Sequence, residues 1–96
     1  MTEQEFRKLL AEQGFDEPLL IERAAAAQLD NHVHPFEALA LILSGDITIS
    51  TEQGDTTYHP GETFHLQPNE LHREAFGSQG VRYLAGRKYE LSLIHI

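Results

Sequence analysis

The feature that most limits the fold is the spacing of turn signals in the second half of the chain. From Ala38 onward, short β-prone runs are broken by "SGD" at 44, "EQGD" at 52, "HPG" at 59 and "GSQG" at 77. Strands at spacings of roughly eight to twelve residues, with no helical pattern between them, imply an antiparallel all-β domain, a sandwich or a small barrel rather than a parallel sheet. The N-terminus has a different texture. Thr2 and Glu5 form a capping box, Phe6, Leu9 and Leu10 share one face, and Gly14 supplies a left-handed stop, which predicts a helix over about 3–13. "EPLLIER" (17–23) reads as a first strand, and "AAAAQLD" as an irregular approach to the histidines at 32 and 34.

With 96 residues the chain is expected to form one domain, because a second hydrophobic core is hard to build at this size. Its longest apolar run, Ala38 to Leu43, is far short of the roughly 20 residues of a membrane-spanning helix, so no membrane partner is expected. Seven Lys plus Arg against fifteen Asp plus Glu give a net charge of -8, which repels phosphate backbones and argues against nucleic acid as a partner. There is no cysteine. Any metal ligands must therefore be His, Asp or Glu. "MTEQEFRKLL" lacks the basic-then-apolar order of a secretory signal, so the expected compartment is the cytoplasm.

The last six residues, "LSLIHI", do not continue the preceding pattern. Read as CTG TCT CTT ATA CAC ATC, they match a transposon end used in preparing sequencing libraries. Leu91 to Ile96 are therefore expected to be a non-native scar outside the fold, and His95 is not counted as a ligand. The domain is taken as residues 1–90, with the native chain expected to continue past Glu90.

"DNHVHPFEALALILSGD" (30–46) brings two histidines to the edge of an apolar run. Three explanations compete: a surface accident, a pair of buried hydrogen-bonding histidines, or half of a metal site. On a strand, His32, His34, Ala38, Ala40 and Ile42 would share one face, and Leu39, Leu41 and Leu43 the other. The small residues beside the histidines suit a cavity wall. The leucine face needs cover, from the N-terminal helix or a second subunit, and a homodimer is the expected solution.

Two histidines at spacing two present their imidazoles side by side, the geometry needed to chelate one ion. Further along, "YHPGETFHLQPNELHRE" has Gly61 opening a strand, a turn at Pro68 and Asn69, and His72 starting the next strand. Here the chain resembles the cupin family, over about residues 30–87. "HVHPFEALALILSG" matches the first cupin motif at His32, His34 and Gly45. "PGETFHLQPNELH" matches the second at Gly61, Pro68 and His72, with Asn69 in the turn and one residue fewer after the proline. "GVRYLAGRK" (80–88) looks like the closing strand of a small bacterial subgroup of single-domain cupins. The resemblance implies a jelly-roll β-barrel whose lumen holds a divalent metal on three histidines and often one glutamate.

At the carboxylate this chain departs from the motif. The expected position is Ala38, and Glu37 comes one residue early, where strand alternation turns it outward. A bulge at Pro35 would shift the parity and turn it inward, and on that condition Glu37 is carried as a fourth ligand. Glu74 lies two residues after His72 on the same face, where it could orient an imidazole, bind the metal or act as a general base; it is carried as the catalytic candidate. His65 reads as a surface residue and His59 as a turn residue. Tyr58 and Tyr83 read as core edge, and Arg73, Arg82 and Arg87 as surface ion-pair formers or anion holders.

The expected cofactor is one divalent ion, with Fe, Mn, Ni, Zn and Cu all compatible with imidazole ligands. Two functions then fit. One is a small metalloenzyme, a dioxygenase, isomerase or similar, acting on a small organic substrate in the lumen. The other is a non-catalytic module that binds or senses a small molecule there, with or without metal.

Overall fold

A computed structural model describes residues 1–89; the "LSLIHI" segment lies outside the described residues. The helix forms where its capping pattern puts it. In α1 (Glu3–Glu12), the Glu5 N–H donates to Thr2 Oγ1 at 3.1 Å, and the Thr2 N–H donates back to the Glu5 carboxylate at 2.9 Å. Six strands follow: β1 (Leu19–Arg23), β2 (Gln28–His32), β3 (Glu37–Thr51), β4 (Gly54–Tyr58), β5 (Thr63–Leu66) and β6 (His72–Lys88). Every pairing is antiparallel.

The long strands β3 and β6 pair with each other along most of their length. The first half of β3 lies between β5 and the second half of β6, with β1 on the outer side of β6. The second half of β3 lies between β4 and the first half of β6, which β2 flanks. This is a jelly-roll arrangement. Among the described residues no pairing joins the outer strands, so the sheet stays open where a closed barrel was expected.

"SGD" and "GSQG" read as turns, but they are bends inside β3 and β6. The β3–β6 register skips between Ile42 and Ser44 and between Gly45 and Ile47, while β6 passes from Val81 to Phe76. Gly45 has φ +72°, and a Cβ there would stand 2.0 Å from the Gly80 carbonyl oxygen. A kinking strand and a reversing chain demand the same residue type, which is why the sequence pattern did not separate them. "EQGD" does reverse the chain, between β3 and β4. The other departure is β2, expected to be irregular. Its first four residues are exposed, so there was no burial alternation to read.

Alternation along β3 sorts its side chains into two clusters. Ala38, Ala40 and Ile42 face the lumen with Ile47, Phe64 and Tyr83. Leu41 packs on the opposite side with Leu84, under Phe6, Leu10 and Phe15, and Leu39 and Leu43 border that cluster. The chain's own N-terminal segment thus buries Leu41 and leaves Leu39 and Leu43 partly exposed. No helix among the described residues is long and apolar enough to cross a membrane.

Candidate metal centre

Three segments bring the site together. β2 ends at His32, the β2–β3 connection carries His34, and β6 opens with His72 and Glu74. His32 and His72 are register partners across β2 and β6, so residues forty apart in sequence meet face to face. One ligating atom from each of His32, His34, His72 and Glu74 lies within 4.8 Å of the others. The rings are close, with centroids 4.2 Å apart for His32 and His72, 4.9 Å for His32 and His34, and 5.3 Å for His34 and His72.

Two of the rings are held by the same device. His32 Nδ1 is 2.7 Å from the Asp30 carbonyl oxygen, and His72 Nδ1 is 2.9 Å from that of Glu70, each two residues upstream. A carbonyl only accepts, so each Nδ1 carries the proton and donates it. In the neutral ring this leaves Nε2 with a free lone pair. Both Nε2 atoms face the same oxygen, Glu74 Oε2, at 2.8 Å for His32 and 3.2 Å for His72. Three electron-rich atoms in this arrangement require a positive charge between them. Without metal that charge is a proton; a divalent ion satisfies the same three atoms, and the donor set fits one.

The electrostatics agree with this reading. Burial acts to lower the pKa of His72, but its hydrogen bonds to the Glu74 carboxylate and the Glu70 carbonyl outweigh burial, and the net shift is upward. His34 is shifted down, by burial and by the two neighbouring imidazoles, which favours the neutral ring that a metal needs. Burial works to raise Glu74, yet the hydrogen bond from His72 and the adjacent His32 hold it below the usual carboxylate value.

Glu37 is not in this cluster. Phe36 faces the lumen, so Pro35 causes no parity shift and Glu37 turns outward. Its Oε2 accepts a hydrogen bond from the exposed His65 at 2.6 Å. The carboxylate beside the imidazoles is Glu74. His59, also exposed, bonds Glu62.

Beside the cluster lies a cavity of about 390 Å³, walled by Ala38, Ala40, Phe64 and Leu66. Tyr83 and Arg87 line it from β6, and the Arg87 guanidinium lies 4.6 Å from the centre of the Phe36 ring. Arg23 also lines it, a position that no sequence signal marked. Arg82, by contrast, pairs with Glu22 on the surface.

A family profile described as AraC-like ligand binding domain matches residues 14–87. The chain belongs to this cupin-like family. Solved structures with the same fold include a cupin superfamily protein from Desulfitobacterium hafniense, 18% identical with a TM-score of 0.66, the match covering 78% of this chain and 70% of that one. A DUF861 family protein from Thermotoga maritima is 16% identical with a TM-score of 0.69, over 92% of this chain and 93% of that one. The lyase DddQ from Ruegeria pomeroyi, described as a DMSP lyase, is 19% identical with a TM-score of 0.67, over 75% of this cupin; the matched part is only 37% of the lyase. No curated protein matches the chain in sequence.

Proposed function

We propose that this cupin binds one divalent metal ion on His32, His34, His72 and Glu74 and acts on a small organic molecule held in the adjoining lumen. The observation that carries the reading is the convergence of two Nε2 atoms on one carboxylate oxygen, beside a third imidazole and an apolar cavity. A bound ion would supply Lewis acidity toward a ligand oxygen. The chain supplies the rest: the Asp30 and Glu70 carbonyls orient two rings, and the alanine and phenylalanine walls exclude water. Glu74 offers the oxygen that faces the imidazoles as the fourth ligand atom, and its other oxygen makes no hydrogen bond among the described residues.

The test is elemental analysis of tag-free protein after reloading with Zn, Fe, Mn and Ni. About one equivalent of metal is expected for a single four-ligand site. Less than about a tenth of an equivalent overturns the proposal.

A second reading, a module that holds its ligand without turning it over, is favoured by the family's description as a ligand-binding domain. Fold alone does not choose, since similar folds include a lyase. Recovery of a lumen ligand chemically unchanged after prolonged incubation with metal-loaded protein would select this second reading.

A further inference from the structure

The metal site leaves two cavity arginines unexplained. In a chain with fifteen acidic residues a guanidinium readily meets a carboxylate. Arg7 pairs with Glu3, Lys8 with Glu12 and Arg82 with Glu22. Arg23 and Arg87 line the same cavity, and among the described residues neither has an ion-pair partner; Arg23 is exposed, like the unpaired Arg73, and donates to the Glu22 carbonyl at 3.5 Å. Arg87 is half-buried, and its stacking on Phe36 holds the guanidinium in place without neutralising it.

Tyr83 adds a second observation. It is 7% exposed and lines the cavity, and its hydroxyl has no hydrogen-bond partner among the described residues. Alternation along β6 puts Tyr83, Ala85 and Arg87 on one face, opposite Ile42, Ala40 and Ala38 of β3. Burial, followed by the nearby Glu74 charge, pushes the phenol up to about 12, so it remains a donor at neutral pH. No buried side-chain polar atom among the described residues lacks a partner, so this hydroxyl opens onto the cavity, where a polar ligand can accept from it.

We infer that the cavity is built for a small organic monocarboxylate, with its acid group held by the Arg87 guanidinium and its apolar body lying against Ala38, Ala40, Phe64 and Leu66. This rests on the metal-site reading for the other end of the ligand. A carboxylate fits the planar guanidinium fork. A phosphate ester fits less well, because it would bring a dianion to a chain of net charge -8 and to a cavity that Asp30 and Glu74 also line. At about 390 Å³ the cavity is at the small end of those that enclose organic ligands.

The test is calorimetry with phenylacetate, phenylacetamide and phenyl phosphate on tag-free protein, both zinc-loaded and stripped with EDTA. Phenylacetate is expected to bind at least about tenfold tighter than the amide in both states, the worth of one charge-assisted contact. Arg87→Gln, checked for wild-type circular dichroism, is expected to remove that preference. If that variant does not fold, rising salt decides on the stripped wild-type protein: a guanidinium reading predicts a falling preference, and a constant one overturns it. The inference also fails if the preference survives Arg87→Gln, vanishes with the zinc, or gives way to tighter binding of phenyl phosphate. Absence of phenylacetate binding at about 10 mM, weaker than any useful affinity, overturns it as well. Protein that takes up no zinc yet keeps an Arg87-dependent preference sinks the metal reading and upholds the anion site.

Discussion

His32 Nε2 and Glu74 Oε2 lie 2.8 Å apart across a separation of 42 residues in sequence. Because the His32 proton is committed to the Asp30 carbonyl, this contact needs a shared cation. Glu74→Gln replaces the anion with an amide of the same shape. It is expected to weaken zinc binding at least about tenfold in a chelator-competition assay, by analogy with groups that tune metal ligands. Glu37→Gln, outside the cluster, is expected to leave zinc affinity within about twofold of wild type, since surface polar pairs are worth little.

Metal should also fasten the fold. At a free zinc concentration about 100 times Kd, binding to the native state alone adds about 2.7 kcal/mol. For a domain of this size that corresponds to a rise in Tm of about 10–20 °C. A calorimetric scan with and without EDTA measures it, and His72→Ala is expected to abolish the difference.

Gly45 tests the bend. Its φ of +72°, and the 2.0 Å that would separate an added Cβ from the Gly80 carbonyl oxygen, leave Ala no unstrained conformation. Gly45→Ala is expected to cost at least about 2 kcal/mol in urea unfolding. Gly54, also at positive φ but with nothing within 4 Å of an added Cβ, would suffer only the backbone penalty and so serves as the control.

Tyr83 sets a limit on the alkaline side. Burial raises its phenol from 10.0 to about 12, so the unfolded chain releases this proton first. The stability tied to Tyr83 is therefore intact below pH 10 and is lost as pH rises toward 12. Tyr83→Phe is expected to flatten the decline in Tm over that interval. A spectrophotometric titration of wild-type protein should show one tyrosine ionising late.

Much of this was legible because the residues concerned have narrow roles. Thr2, Glu5 and Gly14 marked the helix through capping and a left-handed stop, and the structure has both. His32, His34 and His72 stood out because imidazoles next to apolar strands need a reason, and the fold gathers them. The fourth group was harder to read. Glu37 sits nearest the expected motif position, but parity past Pro35 settles which way it points, and only Phe36 facing inward shows that no bulge intervenes. The bends at Gly45 and Gly80 were hidden for a related reason: glycine reports the backbone angle and is silent about whether the chain reverses. Arg23 had no local signal at all, because its place at the cavity follows from long-range pairing of β1 with β6.

The pairing of β2 has a consequence for how one side of the site is held. It is hydrogen-bonded on one side only, to β6, and its register slips between Leu29 and His32. Like β1, β4 and β5 it has a single partner strand, so the imidazole it bears is moored to the sheet from one side. An ion spanning His32 and the β6 residues would pin this edge to its neighbour.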